Sequence, residues 1–281
     1  MFADDLKLYL SFNKRDALYA VDQGQSNIDQ LVRAGEAWGL KMNASKCVCI
    51  RFSRRGHQDF LSHLPMYKIN NQMISFVESH RDLGITVDSC LKFHMHIKNR
   101  VNFINSLTTN ILSCTLSRDP EFLLSIYTLH IRPLIEYGSC LWNTGYIGDL
   151  KLLERIQRRW TRSVEGMEEL PYWERLRALN LFSLQGRFLR ADLILVYKIF
   201  HGLCALKPEN LFQAANNVHT RGHRFKIYAP LTNLEIRRRF FAVRVVAHWN
   251  ALGQDTVEAT SLESFKSLLH RDLADSLFEF C

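Results

Sequence analysis

Phe2, Ala3, Asp4 and Asp5 place two adjacent carboxylates at the start of the chain. At a tight turn between strands, such a pair can aim a carboxylate at two divalent cations about 4 Å apart, which stabilises both the attacking and the leaving oxygen in nucleotidyl transfer. The same dipeptide also caps helices and solvates turns, so alone it fixes no chemistry. A second group lies at 150–164, where Leu153, Ile156, Trp160 and Val164 share one helical face while Arg155, Arg158, Arg159 and Arg162 recur at i, i+3, i+4 and i+7 on another. Such a helix docks by its apolar stripe and offers four guanidiniums to a phosphate backbone, although a solvated basic face has the same spacing. Cys47, Cys49, His57 and His63 have the residue types for zinc but no known finger spacing. His94 and His96 are expected as polar caps near a helix start, and Trp142, Trp160, Trp173 and Trp249 as core or interface anchors. No Gly-rich phosphate loop and no nucleophile triad stands out.

The elements that must position these groups change character near residue 90. Before it, apolar spacing predicts a helix over 16–38, framed by Asp16 and Gly39. The KCVCIRF run at 46–52 alternates as a strand does, and 66–69 and 73–77 read as short strands about Asn70 and Asn71, with a third at 83–87. After residue 91 the period is helical, with helices expected at 93–116, 120–142, 148–164, 171–179, 184–202, 233–251 and 261–277. The fold class is therefore α+β at the front and mostly α-helical behind, and no internal repeat suggests a solenoid.

Composition sets the limits. The 281 residues are 47% hydrophobic and 23% charged, with 13 Gly and 6 Pro, which excludes disordered and collagenous chains. No apolar run is long enough to cross a membrane. The acidic start, MFADDLKL, does not resemble a secretory signal, and seven scattered cysteines do not make a disulfide framework, so an intracellular protein, nuclear or cytoplasmic, is expected. The net charge of +8 is unevenly spread: 41–55 carries five basic residues and no acid, and 219–250 carries six Arg and one Lys against Glu235. That distribution favours a polyanionic partner.

Taken in order, the FADD turn, the GLxxNxxKC segment at 39–47 and RDLGITVD at 81–88 resemble the last third of the palm in reverse transcriptases of non-LTR (LINE-type, jockey-like) retrotransposons. IRPLIEYGSCLW at 131–142, LERIQRRWTR at 153–162, LPYWERLRALNLFSL at 170–184, DLILVYKIFHG at 192–202 and FFAVRVVAHWNAL at 240–252 look like the thumb and C-terminal region of the same lineage.

The resemblance implies a residual palm over 1–90, a helical thumb over 91–165 and a helical C-terminal region over 166–281. It makes Asp4 a metal ligand with Asp5 beside it, and Lys46 the cation that neutralises or protonates departing pyrophosphate. Residues 67–87 correspond to a hairpin that holds the primer. Contacts of Arg155, Arg158, Arg159 and Arg162 with a template–primer duplex follow from spacing alone. The implied partners are an RNA template and a DNA primer, with no membrane, and the implied cofactor is Mg2+ in the complete parent enzyme. Because the family's other metal-binding aspartate lies on a strand upstream of FADD, these 281 residues are expected to be a C-terminal fragment, inactive alone. The rival expectation is a non-catalytic helical module binding nucleic acid or protein, or a retroelement relic without function.

Overall fold

The computed structural model describes residues 6–53, 60, 63–215 and 223–273. Asp4, Asp5 and His57 lie outside that set. The chain divides into two compact units, Met1–Leu91 and Lys92–Cys281.

In the first unit, helix α1 (Ala17–Ala37) buries Ala17, Ala20, Val21, Gly24 and Val32. Its end is set by Gly39 at φ +71°, which lets the Gly39 amide reach Glu36 O at 3.0 Å and the Leu40 amide reach Gly35 O at 2.8 Å. Gly24 lies under Tyr67: a Cβ there would stand 2.8 Å from the Tyr67 hydroxyl, so any larger residue would push that ring aside. Strand β1 (Val48–Cys49) pairs in parallel with β4 (Ser75–Phe76), while β2 (Lys68–Ile69) and β3 (Gln72–Met73) form a hairpin. Asn70 and Asn71, at φ 47° and 65°, supply the left-handed turn that matches strand twist. A second hairpin joins β5 (Ser79–Asp82) to β6 (Ile85–Asp88) through Leu83 and Gly84.

These strands are shorter than the alternation predicts. The run at 46–52 keeps only Val48–Cys49 in a ladder. β5 carries SHRD, mostly exposed, so it has no apolar alternation to announce it.

The second unit is helical among its described residues. Helix α2 (His94–Cys114) is followed by α3 (Pro120–Ile126), which Asp119 caps by accepting from Phe122 N at 3.0 Å. The helix then widens into a π-helical turn, Tyr127–Ile131, before α4 (Arg132–Glu136). Pro133 explains the widening: it lacks an N–H and would collide with the carbonyl of residue 129 in an α ladder, and the Arg132 amide reaches back to Tyr127 O instead. Gly138, at φ +67°, ends the run before α5 (Ser139–Trp142), so the single helix expected over 120–142 is broken.

Helix α6 (Ile147–Arg162) leads to α7 (Tyr172–Ala178) and α8 (Leu184–Phe200). The helix expected at 233–251 is three short ones, α9 (Glu235–Arg238), α10 (Phe241–Arg244) and α11 (Val246–Ala251). The break falls at extended Phe240, which leaves its own ring exposed and turns Phe241 into the core. α12 (Gln254–Val257) and α13 (Leu262–Asp272) complete the described residues.

The apolar core of this unit gathers Leu193, Val196, Tyr197, Trp249, Val257 and Phe265, each at most 1% exposed. One buried ion pair ties α8 to α10. Arg244 donates from Nε to Asp192 Oδ2 at 2.8 Å and from Nη2 to Oδ1 at 2.9 Å, and its remaining bonds go to Cys140 O and Arg239 O, both at 3.0 Å. Burial raises the Asp192 carboxyl above its usual range even so, because desolvation outweighs the arginine beside it.

Candidate nucleic-acid interface

The apolar stripe of α6 is sunk in the core: Leu153, Ile156 and Trp160 are at most 1% exposed, and Trp160 Nε1 donates to Leu123 O at 3.2 Å. With that face fixed, helical geometry drives the other outward, and Arg155, Arg158, Arg159 and Arg162 are all exposed. Among the described residues, Arg155, Arg159 and Arg162 have no carboxylate within ion-pair distance. Arg158 lies over the ring of Tyr172, its Cζ 4.6 Å from the centroid, which joins the stripe to α7. Acids do flank the stripe, since Glu165, Glu168 and Glu169 follow in the loop after α6.

Beneath the arginines sits Glu154, 1% exposed. Its carboxylate accepts from the Tyr172 hydroxyl and from Leu184 N at 3.0 Å, and so pins the starts of α7 and α8 to α6. Desolvation pushes its pKa from 4.5 up to about 6, against the opposing pull of the Tyr172 and Leu184 bonds and of Arg158. A folded state that holds this proton more tightly than the unfolded chain loses stability as pH rises from 4.5 towards 6. The expected loss is about 2 kcal/mol. Glu154→Gln removes it, so urea midpoints measured at pH 4 and pH 7 should fall less with pH in the variant than in the parent chain. Equal pH slopes would exclude this role for Glu154.

Trp173 differs from the other three tryptophans in exposure. Trp142, Trp160 and Trp249 are buried as core anchors, and Trp173 lies outside the core, 51% exposed with the Arg177 guanidinium 5.2 Å from its ring centre. A seven-residue helix turns less than two full turns past its start, and periodicity in so short a run does not choose a buried face. The histidines depart from the expected polar caps: His94 pairs through Nδ1 with Asp149 Oδ2 at 2.5 Å, while His96 is buried beside Trp142, ring centres 5.7 Å apart. Neither caps α2, whose preceding residue is Phe93 at φ 59°.

In the first unit, Asn43 organises the turn that carries Lys46. Its side chain accepts from Ser45 N at 3.1 Å and from Ser45 Oγ at 2.6 Å, and its carbonyl accepts from Lys46 N at 3.1 Å and Cys47 Sγ at 3.3 Å. Lys46 is exposed. The stretch that follows Asp5 is tied to the second hairpin by Lys7 Nζ and Asp82 Oδ2, 2.6 Å apart. Among the described residues no three His, Cys, Asp or Glu side chains converge as a metal ion would require, at Cys47, Cys49 and His63 or elsewhere. No described helix is long and apolar enough to cross a membrane.

The order of segments, with a basic helix seated on an apolar core, fits a relative of the reverse transcriptases of non-LTR retrotransposons, and comparison with known proteins supports that relationship. The chain is 24% identical over 183 residues to the RNA-directed DNA polymerase from mobile element jockey of Drosophila melanogaster, a match covering 64% of this chain and 19% of that protein. The jockey polymerase of Drosophila funebris matches at 21% identity over 164 residues, 57% of this chain and 17% of its own length. An uncharacterised protein of Caenorhabditis elegans matches at 27% over 124 residues, 43% of this chain and 63% of its own. The chain thus spans under a fifth of the jockey polymerases it matches. No family profile matches the chain, and neither does any solved structure.

Proposed function

We propose that this chain is a reverse-transcriptase segment that holds template–primer nucleic acid by its phosphate backbone, through Arg155, Arg158, Arg159 and Arg162. The observation that carries this reading is the pairing of a fully buried apolar face on α6 with four exposed arginines opposite it. A helix locked in the core presents its cations from a rigid backbone, so contact with phosphates orders the arginine side chains but no further main chain. Under the same reading the first unit is a residual palm, 67–87 a primer-holding hairpin, Asp4 and Asp5 ligands for Mg2+ in the complete enzyme, and Lys46 a cation near departing pyrophosphate.

The test has two arms. Affinity for an RNA–DNA duplex, followed by fluorescence anisotropy between 50 and 200 mM salt, should fall with a logarithmic slope of at least about −3. Primer extension on an RNA template with Mg2+ should stay at background for the 281-residue chain and equally for its Asp4→Ala and Asp5→Ala variants. Extension that disappears with Asp4→Ala would refute the expected inactivity, and a flat salt response would refute backbone binding.

A second reading, a protein-binding module, is favoured by the apolar side chains exposed around α9: Leu231 at 98%, Leu234 at 43%, Ile236 at 45% and Phe240 at 41%. It predicts salt-tolerant association and negligible affinity for the duplex.

A further inference from the structure

Away from the α6 stripe, three arginines from two helices converge on a single acid. Arg187 of α8 grips Glu136 of α4 with both Nε and Nη2, the latter 3.0 Å from Oε2. Arg132, one turn before Glu136, reaches the same carboxylate with Nε only at 4.0 Å. Arg190, one turn after Arg187, makes no ion pair among the described residues, and its Nε is shut off from solvent without a hydrogen-bond partner. Three positive charges therefore meet one negative charge in a half-buried setting, where the side chains of Arg132, Arg187 and Glu136 are 29%, 19% and 26% exposed.

That surplus carries a physical cost. A guanidinium partly removed from water and lacking a counter-charge destabilises the fold, and a buried donor without an acceptor adds to the cost. Burial lowers the pKa of Arg132 and of Arg190, and repulsion from Arg187 lowers both further, while Glu136 opposes it at both and Tyr127 at Arg132. All three cations sit on helices, and the bidentate Arg187–Glu136 pair holds one of them rigidly. What the cluster lacks is an oxyanion with several acceptor oxygens and more than one charge.

We propose that Arg132, Arg187 and Arg190 form a phosphate-binding site, in which a phosphate group shares Arg187 with Glu136 and supplies acceptors to Arg132 and Arg190. The phosphate comes either from a nucleic-acid backbone or from a free phosphate or nucleotide. The fork of a guanidinium matches either source.

Glu136 gives the test its sign. It competes with phosphate for the same cations, so Glu136→Gln should tighten phosphate binding, whereas a purely structural role for Glu136 predicts only a less stable protein. Unfolding midpoints of the full chain are measured in sodium phosphate and in sodium chloride at matched ionic strength. Phosphate at about five times its Kd should raise the parent's midpoint by about 2–4 °C over chloride. The shift should be larger in Glu136→Gln and absent in the double variant Arg132→Gln/Arg190→Gln. A Glu136→Gln protein that folds only in phosphate supports the site equally. No difference between the two anions for the parent, or a smaller shift in Glu136→Gln, overturns it.

Duplex binding then separates the sources. If the double variant loses about one to two units of salt slope, the phosphate belongs to a backbone, and if the slope is unchanged, it is a free anion. The thermal readout needs no nucleic acid, so this site can fail while the α6 interface stands, and the reverse.

Discussion

Replacing Arg155, Arg158, Arg159 and Arg162 together by glutamine should remove about 3 to 4 units from the salt slope of duplex binding, since each phosphate contact accounts for about 0.9 of a unit. Over the fourfold rise from 50 to 200 mM, that is a factor of about 100 in affinity. The variant should therefore bind at least about 100-fold more weakly at 50 mM, with the gap closing as salt is raised. The four side chains are exposed, so helix content and the unfolding midpoint should stay close to those of the parent. Arg158 is the exception to watch, because it lies over Tyr172 and lowers the pKa of Glu154. Leaving Arg158 in place and changing the other three should still remove about three quarters of the effect, by proportion. An unaltered slope in both variants would place the interface elsewhere.

The second large effect is structural. Arg244→Met strands the Asp192 carboxylate, whose side chain is 5% exposed, and also frees Cys140 O and Arg239 O of their donor. Breaking a buried pair from one side costs about 3–5 kcal/mol, a large part of the stability of an ordinary domain. Urea unfolding of the full chain should show that loss. The double variant Asp192→Leu/Arg244→Met should recover part of it, because no uncompensated charge is then left inside. A cost below about 1 kcal/mol for Arg244→Met would mean that water reaches Asp192 and that the pair is not a structural node.

How much of this was legible beforehand depends on whether the signal was local. The α6 helix and its two faces follow from spacing, because a stripe of large apolar residues opposite a stripe of arginines has only one helical solution. α1 and its end at Gly39 were legible for the same kind of reason, and so was the turn at Asn70 and Asn71. The break at Gly138 was marked by a residue suited to left-handed backbone, but continuous apolar periodicity on both sides concealed it. The division at Phe240 has no local mark, since it arises from docking Phe241 into the core. Sites built across elements were harder still. Arg132 and Glu136 pair locally at i, i+4 within α4, but Arg187 and Arg190 join them only when α4 meets α8, and neither helix's own sequence points to the other. Glu154 looked like an ordinary acid among arginines until the helix starts at Tyr172 and Leu184 closed over it.

The widened turn at Tyr127–Ile131 gives this molecule something like a reading frame in space. One surplus residue is absorbed there, so everything downstream sits roughly 100° back about the helix axis from where an uninterrupted α ladder of the same sequence would put it. Close that turn into an α ladder without removing a residue and Arg132 and Glu136 would swing off the side that meets Arg187, although every residue of the cluster would still be encoded. Deleting one residue together with the widening would keep the phase, since the surplus residue is what the turn absorbs, whereas a substitution that restored α hydrogen bonding would shift it for the whole of α4.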